Sequence, residues 1–352
     1  MPILFSVNLR GFFAMAVLAL LSESAFSAPP ALPALNADLS QTSISGLSSG
    51  GFMAAQFEVA FSNSLVGAGI VAGGPFYCSG SYSSNTYIMN ATTTCMRPIG
   101  PGPDAAKLVD IAKQFAKEGK IDDLSGLKRH KVYIFSGTKD NTVTTKVVDQ
   151  TLRFLELAGV PAENIKYVKT KGSGHALITN NANDVACEIT APPFINDCDM
   201  YQAHDILNQI YGNLNPPTDK LSGKFVAFNQ REFIDSDRTS MDDEAFAYVP
   251  ASCETNRCKV HVALHGCQQG VAVIGDRYYK TTGYNEMADS NNIIVLYPQI
   301  KPSKSVPLNP RGCWDFWGYS SPDPAHPNFF SKDAPQMKAI DKMLKRLGQS
   351  RP

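Results

Sequence analysis

Four short motifs, and the order in which they occur, constrain the fold of this chain more than any other feature. Gly46-Leu47-Ser48-Ser49-Gly50 comes first, Gly137-Thr138-Lys139-Asp140 second, Gly174-His175 third and His265-Gly266-Cys267 last. Each follows a segment that reads as a β-strand, over residues 42–46, 131–136, 165–170 and 260–264. Loops at strand ends therefore carry a hydroxyl, a carboxylate and an imidazole in that order. These are the groups of a nucleophile, an acid and a base.

A Gly-x-Ser-x-Gly match is weak alone, and its context carries the reading. A strand before Ser48 and a helix over 51–61 after it make a sharp turn that exposes the hydroxyl, so Ser48 is the expected nucleophile. The Ser49 N–H then opens a helix, where it is placed to stabilise negative charge. His175 is the expected base, because it follows a strand in a glycine-rich loop. His130, His204 and His326 stand in polar or helical surroundings that suggest the surface, and His261 lies inside a strand. Asp140 is the expected acid, with Asp123 and Asp149 as alternatives. The order Ser, Asp, His is that of the α/β-hydrolase fold. In that fold the loop giving the second oxyanion-hole N–H precedes the nucleophile. Here the matching strand-to-loop step is His265-Gly266-Cys267, well downstream of the histidine. The displacement implies a circularly permuted α/β-hydrolase fold, with the Cys267 N–H as the second donor.

The remaining pattern fits a mostly parallel central sheet flanked by helices. Residues 66–73 form a further apolar run, and 224–229, 245–249 and 293–297 read as strands, the first two as an antiparallel pair. Helical spacing covers 105–118, 147–158, 201–211 and 334–347, with Gly159 and Pro161 closing the second. Residues 28–39 read as an extended lead-in, and 187–198, with Pro192-Pro193, as a stapled surface loop. Pro216-Pro217 is a turn signal of the kind found at domain boundaries. Neither side of it holds a full set of strands and catalytic groups, so residues 28–352 are expected to form a single catalytic domain.

At 352 residues the chain is long enough to bury a substantial core. Its 32 Lys and Arg balance its 32 Asp and Glu, which leaves no basic field to attract nucleic acid or anionic membrane. Residues 1–27 read as a signal peptide, with Arg10, a short apolar run over 11–21 and Ala25-Phe26-Ser27 at the cleavage site. That run is too short to span a bilayer comfortably, so export to the periplasm or the medium is expected, with no stable membrane anchor. The eight cysteines agree with an oxidising compartment. They allow 105 connectivities, among which proximity favours Cys78–Cys95, Cys187–Cys198 and Cys253–Cys258, leaving Cys267 with Cys313. No Cys-x2-Cys pair occurs and the histidines are not clustered with the cysteines, so no metal site is expected. A Cys267–Cys313 bond would brace the oxyanion loop against Gly312-Cys313-Trp314-Asp315-Phe316-Trp317. Trp314 and Trp317, the two tryptophans of the chain, are candidates to line an apolar acyl-binding crevice, core packing being the alternative.

Gly46-Leu47-Ser48-Ser49-Gly50-Gly51, Leu264-His265-Gly266-Cys267-Gln268-Gln269 and Gly312-Cys313-Trp314 together resemble the poly(3-hydroxybutyrate) depolymerases. The permuted order is similar to the single-domain fungal type, and the resemblance covers nearly all of the mature chain. It implies an enzyme that cuts ester bonds in polyhydroxybutyrate, with Ser48, Asp140 and His175 as the triad and the N–H groups of Ser49 and Cys267 as the oxyanion hole. It places a tryptophan of the 314–317 segment in the substrate crevice and requires no metal or organic cofactor. Many secreted bacterial members carry a linker and a separate polymer-binding domain, and neither is read in this sequence. Adsorption to solid polymer is then expected to depend on an apolar patch of the catalytic domain. The expected partner is a polyester or oligoester, and the oligomeric state is left open. The rival readings are a secreted carboxylesterase of the feruloyl or acetylxylan type and a non-catalytic secreted binding protein.

Overall fold

Among the described residues, eight strands line up in one sheet whose order explains how distant motifs meet. The computed structural model describes residues 1–3 and 29–352. The apolar core of the expected leader and its cleavage site lie outside the described residues. In chain order the strands are β1 (Thr42–Leu47), β2 (Leu65–Val71), β3 (Lys131–Gly137), β4 (Ile165–Thr170), β5 (Leu177–Thr179), β6 (Val185–Ala186), β7 (Ile195–Asp197), β8 (Lys224–Asn229), β9 (Glu244–Val249), β10 (Lys259–Leu264) and β11 (Ile293–Tyr297). The large sheet runs β4-β3-β2-β1-β10-β11-β9-β8. Its neighbours are parallel from β4 to β11, and β9 and β8 close it as an antiparallel edge.

β1 and β10, far apart in sequence, pair in register from Thr42↔Val260 to Gly46↔Leu264. Every residue of β1 and β11 is buried, as parallel strands covered on both faces require. Imagine the chain cut before β8 and joined through its present ends. It would then enter the sheet by the antiparallel pair and reach the His265 loop before the Ser48 loop, which is the unpermuted order. The ends are placed for such a join. The Leu35 and Ala37 N–H groups donate to the Leu347 carbonyl at 3.1 and 3.0 Å, and the Asn36 N–H donates to the Gln349 carbonyl at 2.8 Å.

The helix after β1, α1 (Ser49–Ala60), is buried along its whole length, so apolar periodicity is absent from it. Its Glu58 carboxylate lies 3.1 Å from Nδ1 of His130, whose Nε2 faces the Ser62 carbonyl at 2.9 Å. His130 is thus fully buried, against the surface position expected for it. Residues 187–198 also differ from expectation. They carry β7, which lies between β5 and β6 in a small parallel sheet of order β5-β7-β6. Disulfides join Cys78–Cys95, Cys187–Cys198 and Cys253–Cys258, the pairs that proximity favours, and Cys267–Cys313, the pair left over.

Alternation along β1 sends Ile44 and Gly46 toward α1 and Ser43 and Ser45 toward the opposite face. There the two serines hold the ring of His261 at 2.7 Å on each nitrogen, and their hydroxyls also meet Tyr211 at 2.7 Å and Tyr284 at 2.6 Å. This buried polar seam is fully partnered, and it is separate from the Ser48 loop at the strand end. Burial pulls the His261 pKa down to about 3. Between that value and the ordinary 6.5 of the unfolded chain, unfolding takes up a proton that the folded state excludes. Stability from this site is therefore complete above about pH 6.5 and is lost as pH falls, at about 1.4 kcal/mol per pH unit. Urea unfolding at pH 5.5 and 4 is expected to show a shallower loss in His261→Gln than in wild type. Equal slopes in the two proteins would count against a neutral His261.

Candidate active site

All four motif loops leave the carboxyl ends of parallel strands, so they gather along one edge of the sheet. Ser48 follows β1, Asp140 follows β3, His175 follows β4 and Cys267 follows β10. Ser48 adopts φ +58° and ψ −122°, a conformation that L residues rarely take and that marks a strained strand-to-helix elbow. Its N–H donates to the Val71 carbonyl of β2 at 2.9 Å, while its hydroxyl makes no cap to α1. The elbow is this tight because Gly46 and Gly50 lack side chains. A Cβ on Gly46 would lie 2.4 Å from the Gly50 backbone, and one on Gly50 would lie 2.4 Å from the Leu264 carbonyl oxygen.

Asp140 and His175 are tied to each other and to the loops that carry them. His175 Nδ1 donates to Asp140 Oδ2 at 2.7 Å, the tautomer following from the carboxylate's being only an acceptor. Asp140 Oδ1 accepts from the Thr142 and Val143 N–H groups at 2.8 and 2.9 Å. The His175 N–H donates to Thr190 Oγ1 at 2.9 Å and the Gly174 N–H to the Cys187 carbonyl at 2.9 Å, so the Cys187–Cys198 staple supports the loop that carries His175. Nε2 of His175 has no hydrogen-bond partner among the described residues, Ser48 included. Contacts of this kind often close only in the substrate complex. The competing acids are engaged elsewhere, Asp149 with Tyr167 and Lys169, and Asp123 as the cap of a short helix.

The His265 loop lies against the elbow. A Cβ built on Gly266 would stand 3.3 Å from Ser48 Cβ and 3.3 Å from the Leu47 carbonyl oxygen. Neither the Ser49 N–H nor the Cys267 N–H meets a hydrogen-bond acceptor among the described residues. Two open backbone donors therefore flank one hydroxyl, as an oxyanion hole requires. The Ser49 hydroxyl is used differently, accepting from the Trp314 N–H at 3.2 Å.

The two tryptophans part company. Trp314 has no exposed surface and packs near the His265 ring at 5.7 Å, so it is a core residue and not an open crevice wall. Trp317 is partly exposed and sits edge-on to Phe316, which stacks on Phe52 of α1 at 4.2 Å. Its backbone is fixed by Asp315, whose carboxylate accepts from the N–H groups of Trp317, Gly318, Tyr319 and Ser320 and from the Ser320 hydroxyl. Burial pushes the Asp315 carboxyl up while these five donors favour its charged form.

No family model matches the chain. A curated protein does: over 306 residues it is 38% identical to the polyhydroxybutyrate depolymerase of Talaromyces funiculosus, covering 83% of this chain and 86% of that protein. The chain belongs to the poly(3-hydroxybutyrate) depolymerase family. It is also 41% identical over 346 residues to the poly(3-hydroxybutyrate) depolymerase of Delftia acidovorans, covering 96% of this chain but spanning only 66% of that relative's length. Among solved structures it is similar to a serine-to-alanine variant of a PHB depolymerase in complex with an R3HB trimer, at TM-score 0.80 and 35% identity. It is likewise similar to the PHB depolymerase of Penicillium funiculosum, at TM-score 0.79 and 35% identity. In both comparisons 91% of this chain and 100% of the other are covered.

Sequence reasoning gave no role to Gln269, to Asp315 or to Thr190, and it placed His130 wrongly. Gln269 stands in the His-Gly-Cys-Gln-Gln run, so a polar side chain beside an oxyanion loop was the available signal. Asp315 gave a weaker one, a lone acid among aromatic residues. Thr190 gave none, because its contact joins segments that only the fold brings together. Among the described residues no cluster of His, Cys, Asp and Glu is placed to hold a metal ion, and no helix is long and apolar enough to cross a membrane.

Proposed function

We propose that this chain is an exported serine esterase that hydrolyses ester bonds of poly(3-hydroxybutyrate) or its oligomers. The observation that carries the reading is the strained Ser48 elbow flanked by two unengaged backbone donors, on a chain 38% identical to a polyhydroxybutyrate depolymerase. His175 takes the Ser48 proton through Nε2 while Asp140 holds Nδ1–H and stabilises the imidazolium. The alkoxide attacks the ester carbonyl, and the N–H groups of Ser49 and Cys267 receive the charge that develops on its oxygen. The protonated imidazole gives its proton to the leaving alcohol. Water then attacks the acyl-enzyme by the same route and releases a 3-hydroxybutyrate-type acid. Trp317 is the residue we place against the acyl chain, supported by its partial exposure beside the Phe316–Phe52 stack. Residues 28–352 are read as one catalytic domain, supported by a sheet that interleaves strands from both halves. Export is supported by the four disulfides and the leader-like residues 1–27.

The test is release of soluble 3-hydroxybutyrate and its oligomers from amorphous polyhydroxybutyrate particles by the folded mature chain. Steady release is expected, with no comparable release of ferulate or acetate from substituted xylan. The reverse pattern would keep the chemistry and overturn the substrate.

A further inference from the structure

In the loop that ends β10, the N–H groups of Gly266, Gln268 and Gln269 all have partners, while the Cys267 N–H has none among the described residues. The Gly266 N–H donates to Gln269 Oε1 at 2.6 Å, and the Gln269 amide donates in turn to the Pro193 and Phe194 carbonyls at 2.8 and 3.0 Å. The Gln268 N–H donates to the Arg311 carbonyl at 2.7 Å. The disulfide to Cys313 anchors the Cys267 side chain, but it does not set the plane of the peptide that carries the N–H.

Two donors hold that plane through the Gly266 carbonyl, the Gln269 N–H at 3.3 Å and, more closely, the ring of His265. Its Nδ1 lies 2.7 Å from the Gly266 carbonyl oxygen, which only accepts, so Nδ1 carries a proton. Its Nε2 lies 3.0 Å from the Ile300 N–H, which only donates, so Nε2 is bare. Both contacts demand the same neutral tautomer. The ring has no exposed surface, being packed near Trp314 and edge-on to Tyr278, and burial pulls its pKa down to about 4. The Gly266 carbonyl and the Cys267 N–H belong to one peptide unit and point in opposite directions across a trans bond. Holding the carbonyl therefore aims the N–H.

We propose that His265 is a positioning residue for the oxyanion hole, its Nδ1–H fixing the Gly266 carbonyl so that the Cys267 N–H points at the ester oxygen that becomes negative. The inference rests on the assignment of Ser48 and Cys267 made above. It gives the histidine of the His-Gly-Cys run a task in the reaction without contact to the substrate. The Ile300 N–H in turn selects the tautomer that can perform it.

The test compares His265→Leu with His265→Asn. Both lose the Ile300 contact, but only the asparagine amide can donate from near the Nδ1 position. On a soluble short-chain ester, His265→Leu is expected to lower kcat about 10–100-fold, part of the 10²–10³ that loss of a whole oxyanion donor costs. KM is expected to stay nearly constant, and affinity for a trifluoromethyl ketone, which forms a tetrahedral adduct, should fall in parallel with kcat. His265→Asn is expected to recover most of both losses. If folded His265→Leu keeps wild-type kcat while Ser48→Ala is inactive, the positioning role is wrong and the esterase reading stands. Wild-type turnover by Ser48→Ala would overturn the underlying reading instead. Should neither His265 variant fold, ¹⁵N-imidazole NMR of the wild type decides. A protonated Nδ1 with a bare Nε2 is required, and the reverse tautomer would overturn the proposal.

Discussion

Replacing Ser48 by alanine is expected to lower kcat about 10⁶-fold on any ester this chain hydrolyses, with little change in melting temperature. The two halves of that expectation have different sources. The rate falls because the alanine methyl cannot form an acyl-enzyme, and what activity remains comes from the oxyanion donors and from binding. The fold survives because the Ser48 hydroxyl caps nothing in α1. The strained backbone at φ +58° belongs to the elbow and not to the hydroxyl, so alanine inherits the same cost. His175→Ala is expected to do about as much damage, and the double variant no more, since nucleophile and base act as a unit. Asp140→Asn should cost about 10⁴-fold by presenting the wrong tautomer to Ser48. Initial rates on a soluble ester and labelling by a fluorophosphonate check the series. Labelling of folded Ser48→Ala at the wild-type rate would place the nucleophile elsewhere.

What the sequence made legible follows from which contacts are local. The inner strands were readable because burial on both faces of a parallel sheet demands apolar runs such as Ile293–Tyr297, whose bounds the pattern matched. The α1 helix was readable from its place after the elbow, although its amphipathic period is missing because every side of it is covered. The permutation was readable because motif order is a one-dimensional property. The order β4-β3-β2-β1-β10-β11-β9-β8 then gives it a physical basis, since β1 and β10 neighbour each other whichever end of the chain comes first.

The misses have the opposite character. His130 stands among charged residues in sequence, yet it packs onto Glu58 from a helix formed much earlier in the chain. The small β5-β7-β6 sheet uses strands of two or three residues, too short for alternation to show. Trp314 and Trp317 are three residues apart and face different environments, one closed in beside His265 and one at the surface. Composition cannot separate them. The Asp315 turn does, by holding the backbone from Trp317 to Ser320 through hydrogen bonds to a single carboxylate. Side-chain identity named the chemistry, while long-range contact decided which residues have access to it.

Gly50→Ala is expected to damage both fold and catalysis, because the second glycine of the elbow is the point where α1 meets β10. An added Cβ would lie 2.4 Å from the Leu264 carbonyl oxygen and 2.5 Å from that of His265. Both are backbone atoms of the strand end that carries the oxyanion loop, so no side chain can rotate away to relieve the contact. The helix cannot retreat either, since it is buried on every side. Overpacking of this kind costs about 3 kcal/mol, which for a chain of this size, at about 2.1 cal/mol/K of unfolding entropy per residue, lowers the melting temperature by roughly 4–5 °C. Relief by sliding α1 or β10 moves the Ser49 N–H relative to the Cys267 N–H, and a misplacement of about 1 Å is worth about 10²-fold in rate. Gly119→Ala supplies the comparison. That residue has φ +72° and no neighbour within 4 Å, so its substitution should cost about 1–2 kcal/mol of backbone strain and leave kcat unchanged. Thermal unfolding with kcat measured well below each melting point separates the two effects. If Gly50→Ala lost stability alone, with wild-type kcat, the hole would tolerate movement of its two donors, and the close approach of α1 to β10 would serve packing but not the placement of charge.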